Sequence, residues 1–460
     1  MMKLLTLALS FALLVVTLPL TGADGTNVFA IDLPTTLQLA GARNLDVQIT
    51  REKLAEAKAN NESAVWQFFP AIVPGVGYRR HDNLIQDVAG NVIDVHKDAY
   101  TVGPTIAAQL DLGDAIYKKL AARQFVTAAA FALESQRQES ALTAVREYFG
   151  LAQAQASVGV AAESVRIAED FAGQVRQAVG AGIAFKGDAL RAEVQADRDH
   201  LALRQAQELV TVSAARLVRT LHLDAKVDLV APADDLVPLT LVATNAALET
   251  LLAQARAARP EVKQSRAQVA AAYQVRNGAK YGPLIPSLGA QLFAGGLGGG
   301  IDGGPGRFGE SEDYQFTLGW RLGPGGLFDR GRIRAGEARL RVAQFTDEKL
   351  ADEITREVVA GHARLRSLSD QLNTAGHAVR AADESLRLTS QRKEFAVGVV
   401  LEHVQAEQDL TRARLDYLNV VAEFNRAQFE LRRAIGDATE IPVPQRGTEK
   451  ADAGGLQPQK

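Results

Sequence analysis

From Tyr314 to Arg332 the chain reads YQFTLGWRLGPGGLFDRGR. In its first part Tyr314, Phe316, Leu318, Trp320 and Leu322 share one face of an extended chain, while Gln315, Thr317, Gly319 and Arg321 share the other. That period of two predicts a strand with one apolar and one polar face. Beyond Leu327-Phe328-Asp329 the composition changes to Ala, Leu, Glu, Arg and Gln, and no proline occurs between Pro324 and Pro442. These residues are strong helix formers, and proline, which would remove a helix hydrogen bond and clash with the preceding turn, is absent. The stretch therefore predicts a strand that passes into a very long helix.

The same plan occurs upstream. Tyr100-Thr101-Val102-Gly103 recurs as Phe316-Thr317-Leu318-Gly319 at an offset of 216. Asp46-Val47 recurs as Glu261-Val262 at an offset of 215, and Leu217 to Leu221 as Leu431 to Ile435 at an offset of 214. Three ordered matches at near-constant offset indicate a duplication. A first repeat is expected over 31–224, with strands at 72–80 and 99–110 and a helical hairpin over 112–222. An equatorial linker follows at 225–246. The second repeat spans 247–436, with strands at 285–294 and 313–322 and a hairpin over 326–436. A polar tail, 437–460, closes the chain. Each repeat opens with a helix, Thr35 to Phe69 and Asn245 to Lys280, ended by Pro70 and by Pro283 with Pro286.

A second proline-free stretch, Pro104 to Pro232, predicts a helix from Ala115 to Ala178, about 95 Å long at 1.5 Å per residue. Gly180 and Gly182 interrupt the first long run and Gly398 the second, each marking a turn between antiparallel helices. A helix of this length packs beside others. Leu410, Ala413, Tyr417, Val420, Phe424, Ala427, Leu431 and Ala434 form a heptad stripe, and Leu415, Leu418, Ala422 and Phe429 a looser second one. Two stripes imply two neighbours, as in a ring of helices; a solitary two-stranded coiled coil would leave the strands unexplained.

The other clear strand, Tyr100 to Leu110, places Tyr100, Val102, Ile106 and Leu110 opposite Thr101, Gly103, Thr105 and Gln109. Strands of about ten residues match a membrane-spanning barrel, although any half-buried antiparallel sheet alternates. Between strands, His81 to Asp98 is polar, and Gly295 to Gly309, containing GGLGGGIDGGPG, reads as a flexible surface loop. It lacks the lysine of a phosphate-binding loop. Four strands cannot close a barrel, which needs about eight, and open edges are too costly in lipid. Strands in a bilayer would therefore require oligomerisation.

Met1-Met2-Lys3, the apolar run Leu4 to Leu20 and the small residues Thr21-Gly22-Ala23 read as a secretory signal peptide over 1–23, with Ala30 as an alternative end. An N-terminal membrane anchor is the other reading, though the run is short for a span. No cysteine is present, so disulfides, thiolate metal sites, a cysteine nucleophile and a lipid-modified N-terminus are not expected. A formal net charge of −3 gives no reason to expect nucleic acid. Aromatics at 6% with abundant alanine suit long helices packed through small side chains. The seven histidines show no metal-binding spacing and there is no G-x-S-x-G elbow. No catalysis, metal or cofactor is expected.

From about Leu33 to Gly436 the chain resembles the TolC-like outer-membrane efflux and secretion channel family. The resemblance rests on the duplicated plan and on local motifs: Thr36-Leu37-Gln38-Leu39-Ala40 with Asn44 to Val47, Leu327-Phe328-Asp329-Arg330-Gly331-Arg332 at the strand-to-helix junction, a weaker Leu112-Gly113-Asp114, and Leu431 to Gly436. The resemblance implies a mainly α fold with a small membrane β part: a homotrimer with a 12-stranded β-barrel in the outer membrane, four strands per chain, and an α-helical tunnel in the periplasm. It implies a periplasmic adaptor and an inner-membrane pump or ABC exporter as partners. It implies adaptor docking at the helix turns (Val179, Gly180, Gly182, Val397, Gly398), and lipid-facing Tyr100, Val102, Ile106, Tyr314, Phe316, Leu318 and Trp320. At the periplasmic tip it implies a pore constriction at Glu402, Gln405 and Asp188. Glu402 lies two residues nearer its glycine than in the family, Gln405 replaces the next acid, and Asp188 keeps the family spacing from Gly182. A charge favoured near a helix N-terminus explains Glu402 and Asp188 equally. The rival reading is a periplasmic coiled-coil adaptor or scaffold without a channel.

Overall fold

The structure, a computed structural model, describes residues 27–232, 235–301, 306–394 and 400–437. The signal-peptide reading, the turn at Val397 and Gly398 and the tail past Asp437 lie outside these residues. In chain order the elements are β1 (Asn27–Ala30), α1 (Leu33–Arg43), α2 (Leu45–Trp66), β2 (Ala71–His81), β3 (Leu84–Gln86), β4 (Val92–Asp94), β5 (Lys97–Leu110), α3 (Leu112–Gly180) and α4 (Lys186–Leu221). The second half continues with β6 (Val227–Val230), α5 (Leu248–Ala258), α6 (Pro260–Tyr281), β7 (Ser287–Ile301), β8 (Arg307–Gly319), α7 (Arg330–Glu394) and α8 (Val400–Ala434). The proline-free stretches do become very long helices: α3 has 69 residues and α7 has 65.

The opening helix of each half, expected unbroken, is split. In the first half Asn44 leaves helical geometry, and its side chain accepts from the backbone N–H of Asp46 (2.9 Å) and Val47 (3.3 Å), capping α2. Its amide also donates to the Thr220 carbonyl at the end of α4 (3.0 Å), which fixes where the break falls. In the second half Pro260 cannot continue α5 and instead starts α6, where its missing N–H costs nothing. The two starts, Leu45 and Pro260, are 215 residues apart, the repeat offset.

Two apolar cores hold the helices. Tyr148, Phe149, Leu151, Leu217 and Leu221 join α3 to α4 beneath α1, and Ile354, Val358, Leu365, Phe424, Ala427 and Leu431 join α7 to α8 beneath α5. α8 lies between α7 and α3. Phe424, Ala427, Leu431 and Ala434 pack on α7, whereas Phe429 meets Phe149 of α3 at 6.1 Å between ring centres.

Near mid-length, β1 pairs in parallel with β6, whose segment links the halves. The linker is held by two fully buried amides on α8. Asn425 accepts from Leu239 N–H (2.8 Å) and donates to the Val237 carbonyl (2.8 Å). Gln428 accepts from Leu241 N–H (3.1 Å) and Val242 N–H (2.7 Å). Gln428→Leu strips both donors of their acceptor, and an unsatisfied buried group costs about 1–3 kcal/mol. Urea denaturation of this variant is expected to show a lower midpoint by that order, with the linker newly open to protease.

The strand-to-helix junction explains the Leu327 to Arg332 motif. Asp329 accepts from Arg332 N–H (2.9 Å) and Gly325 N–H (2.9 Å), capping α7 and closing the turn. These backbone donors, Arg332 first, hold its carboxyl below the usual range. Arg332 donates to the Gly325 carbonyl (2.9 Å) and reaches across to Asp114 at the start of α3 (2.7 Å). The motif thus ties the starts of α3 and α7, where the sheet meets the helices.

The main sheet is antiparallel, in the order β2-β5-β7-β8. The glycine run read as loop is strand from Gly295 to Ile301, paired with β5 and β8. A β-carbon at Gly296 or Gly298 would lie 2.3 or 2.6 Å from the Phe308 ring, so the glycines leave room for that ring across the strand pair. Inside the polar loop, β3 and β4 form a small hairpin that the sequence reading does not anticipate.

Candidate functional site

Strand register decides which side chains share a face, because residues directly opposite across strands point the same way. One row runs Ile72, Ile106, Leu292, Tyr314; another runs Leu110, Leu288, Leu318; a third joins Ala108, Ala290 and Phe316; a fourth joins Tyr78, Tyr100, Gly298 and Phe308. The opposite face carries the rows Ala107, Gln291, Gln315 and Gln109, Gly289, Thr317, with Thr105 opposite Phe293 and Asp313. One face is therefore mostly apolar, interrupted on β8 by Glu310 and Glu312 between Phe308 and Tyr314, and the other is largely polar or small.

That apolar face is bare. Tyr100 (46%), Val102 (48%), Ile106 (37%), Tyr314 (62%), Phe316 (69%) and Leu318 (66%) are all exposed, and so are Ile72, Val76, Tyr78 and Phe308. Trp320 is a correction to the strand reading: β8 ends at Gly319, and the Trp320 indole donates to the Leu284 carbonyl (3.2 Å) just beyond the sheet. From Tyr100 to Leu110, at about 3.4 Å per residue and a tilt near 40°, the band stands about 26 Å tall, the height of a membrane barrel's apolar belt. β2 and β8 each keep one unpaired edge within the chain.

At the other end lies the α3–α4 turn. Gly182 adopts φ +73°, a left-handed conformation, and the N–H groups of Gly182 and Ile183 bond back to Val179 and Ala178 carbonyls (3.0 and 2.9 Å). Ile183 (77%) and Phe185 (83%) project from this turn. α8 begins beside it: Val400 and Val404 pack with Val179 against Phe171, Ala172, Val175, Ala189 and Ala192. The structure thus brings Asp188 and Glu402, in the first turns of α4 and α8, to one end of the bundle.

Asp188 is half-buried and pairs with Arg191 (3.3 Å), so part of its role is at the start of α4. Glu402 and Gln405 are exposed, three residues apart on one face of α8, and Gln405 donates to Asp409 (3.1 Å). Asp409 adds an acid to that stripe. The spacing from Glu402 through Gln405 to Asp409 was available in the sequence and passed over.

Among the described residues no group of three or more His, Asp or Glu is placed to hold a metal ion, and no helix is long and apolar enough to cross a membrane.

Comparison with known proteins follows the same lines. The profile of the family described as outer membrane efflux protein matches residues 36–221 and 251–437. A sequence comparison with curated proteins finds no match. Among solved structures, a membrane protein of Pseudomonas aeruginosa superposes with a TM-score of 0.76 at 19% identity, over 88% of this chain and 92% of that one. The outer membrane protein VceC of Vibrio cholerae gives 0.74 at 17% identity, over 88% and 96%. The open state of the MtrE outer membrane channel of Neisseria gonorrhoeae gives 0.69 at 17% identity, over 88% and 89%. These similarities show a common fold.

Proposed function

This chain belongs to the outer membrane efflux protein family, and from that premise we propose that it is the homotrimeric exit duct of a tripartite efflux or type I secretion system. The family is one of efflux ducts rather than enzymes. The observation that carries the reading is the bare apolar face of a four-stranded sheet with two unpaired edges. In water that face is an aggregation hazard. In lipid the face is favourable but the edges are not, since each unpaired backbone group costs several kcal/mol there. Pairing β8 of one copy with β2 of the next satisfies the edges, and three copies supply twelve strands, within the range of closed membrane barrels.

The remaining roles follow from this placement. Tyr100, Val102, Ile106, Tyr314, Phe316 and Leu318 face outer-membrane lipid, with Trp320 at its border. The long helices stand in the periplasm as a tunnel. Val179, Gly180 and Gly182, with the exposed Ile183 and Phe185, present a docking surface for a periplasmic adaptor, which connects to an inner-membrane pump or ABC exporter. Glu402, Gln405 and Asp188 line the entrance. Glu402→Ala is expected to reduce cation preference in single-channel recordings; unchanged selectivity removes Glu402 from the constriction.

Fractionation of cells expressing the full chain tests the assembly. The expected product is a heat-sensitive trimer in the outer-membrane fraction. A soluble periplasmic monomer would contradict the duct and favour a coiled-coil scaffold.

A further inference from the structure

Glu407 of α8 is 2% exposed, and among the described residues no donor reaches either of its carboxylate oxygens; when protonated it donates to Asp199 of α4. One turn towards the tip, the His403 ring stacks on Phe171 of α3 at 4.0 Å. One turn away from it, the Thr411 hydroxyl meets Ser164 of α3 at 2.7 Å. These two contacts bracket Glu407 against α3 near Ala168, itself 1% exposed and uncharged. From α4 the neighbouring group is another acid, Asp199. It accepts from Gln195 Nε2 (3.0 Å), and Gln195 Oε1 accepts in turn from Gln408 Nε2 of α8 (2.7 Å). A buried carboxyl, Glu407, and a half-buried one, Asp199, therefore meet where three helices come together.

We propose that Glu407 and Asp199 form a proton-operated latch. It holds the tip end of α8 against the α3–α4 hairpin while the pair carries a proton, and releases it when that proton is lost.

Among the described residues no cation neutralises Glu407. On α4, Arg198 and His200 act on Asp199, but both are exposed, and His200 is bonded to Glu169 of α3 (2.9 Å). On α8, His403 is stacked on Phe171 one turn away, and Asp409, two residues on, is exposed and accepts from Gln405. On α7, the Arg414–Asp383 contact (3.3 Å) puts Ser390 level with Glu407; Arg387, almost a turn away, is exposed and bonded to Glu384 (2.6 Å). A buried carboxyl without a cation or donors keeps its proton. Burial, then the charge of Asp199, push Glu407 up to about 8, and burial raises Asp199 as well. Above about pH 8 Glu407 gains a negative charge beside Asp199 at a buried position that cannot solvate it, and separation of α8 from α4 relieves both the repulsion and the desolvation.

The consequence reaches the tip. Val400 and Val404, which seat the start of α8 on α3 and α4, lie within two turns of Glu407, as do Glu402 and Gln405. Release of the latch frees these turns together. Its bearing on transport rests on the duct reading; the latch itself does not.

The linkage has a definite sign. The engaged state holds its proton to about pH 8, whereas a released, solvated glutamate titrates near 4.5. The equilibrium constant for release therefore rises about tenfold per pH unit between those values and levels off above them. Hydrogen exchange of the full-length protein in detergent, corrected for intrinsic rates, reads this at backbone amides 403–411, with 354–365 of α7 as the control. Protection at 403–411 is expected to fall about tenfold per pH unit up to pH 8 in the wild type and to be independent of pH in Glu407→Gln. Asp199→Asn, which removes the repelling charge, is expected to move the levelling-off point to lower pH, and it carries the test if the first variant does not fold. The same slope in Glu407→Gln, a flat wild type, or an unmoved curve in Asp199→Asn would overturn the latch. A latch that behaves as expected in a protein that conducts no ions would leave it standing and sink the duct reading alone.

Discussion

Gly113→Ala is expected to prevent assembly of a stable protein. At the head of α3 a β-carbon on Gly113 would sit 2.0 Å from the Gly282 carbonyl oxygen and 2.6 Å from its carbon, closer than such atoms ever approach. The obstacle is backbone, so no side-chain rotation relieves it. Gly282 is less confined: its own β-carbon would lie 2.9 Å from the Asp114 side-chain Oδ1 and 3.4 Å from the Gly113 backbone. The strain must be relieved by moving α3 away from the turn that follows α6. That movement also pulls Asp114 from Arg332 and tilts β5 against β7. Overpacking a rigid contact costs about 1–3 kcal/mol and occasionally more, and this contact, being backbone on backbone, belongs at the upper end. The check is the yield of folded oligomer after extraction, with Gly159→Ala, which meets nothing within 4 Å, as the tolerated control.

Arg259→Met is expected to cost about 3 kcal/mol, the low end of the penalty for breaking a buried ion pair, because Arg433 still neutralises Glu261. Arg259 is 2% exposed, binds Glu261 through two nitrogens (3.2 and 3.3 Å) and reaches Glu357 at 2.5 Å. Arg433 joins from α8, at 2.9 Å to Glu261 and 3.0 Å to Glu139 of α3. The network ties the α5–α6 break to α3, α7 and α8. Burial would push the Glu261 carboxyl up, but the hydrogen bonds and charge of Arg259 outweigh it and hold the group below its usual 4.5. A depressed carboxyl contributes stability above its unfolded value and loses it as pH falls through the folded one. The wild type is thus expected to lose stability as pH drops below about 4.5, and the variant to show a weaker acid dependence. In a Glu261→Gln background the same substitution should cost less; equal costs in both backgrounds would show that the two groups are not coupled.

How much of this was readable beforehand differs by element. The long helices declared themselves because proline is excluded over whole stretches, a signal that needs no tertiary information. The α8 stripes named two neighbours because a heptad spacing records contact on each side of a helix. Rows such as Ile106, Leu292 and Tyr314 were only half visible. Alternation gave the faces of β5 and β8, but the alignment of faces across strands depends on register, which no single strand specifies. The breaks at Asn44 and Arg259 were missed although Pro260 signals a helix start; its agreement with Leu45 at the repeat offset would have found both. The glycine run failed for another reason: glycines suggest a loop unless one sees that Phe308 lies across them. Of the tip residues, Asp188 and Glu402 were placed by motif, whereas Glu407 is invisible in sequence. An acid on an Arg-rich helix reads as solvated until the neighbouring helices are known to enclose it.

The most direct test of the duct is single-channel conductance of the detergent-extracted protein in a planar bilayer, with the oligomer mass measured on the same sample. A trimer that gives small, discrete, cation-preferring steps is the expected result. A monomer that stays soluble without detergent and leaves the bilayer silent would contradict it.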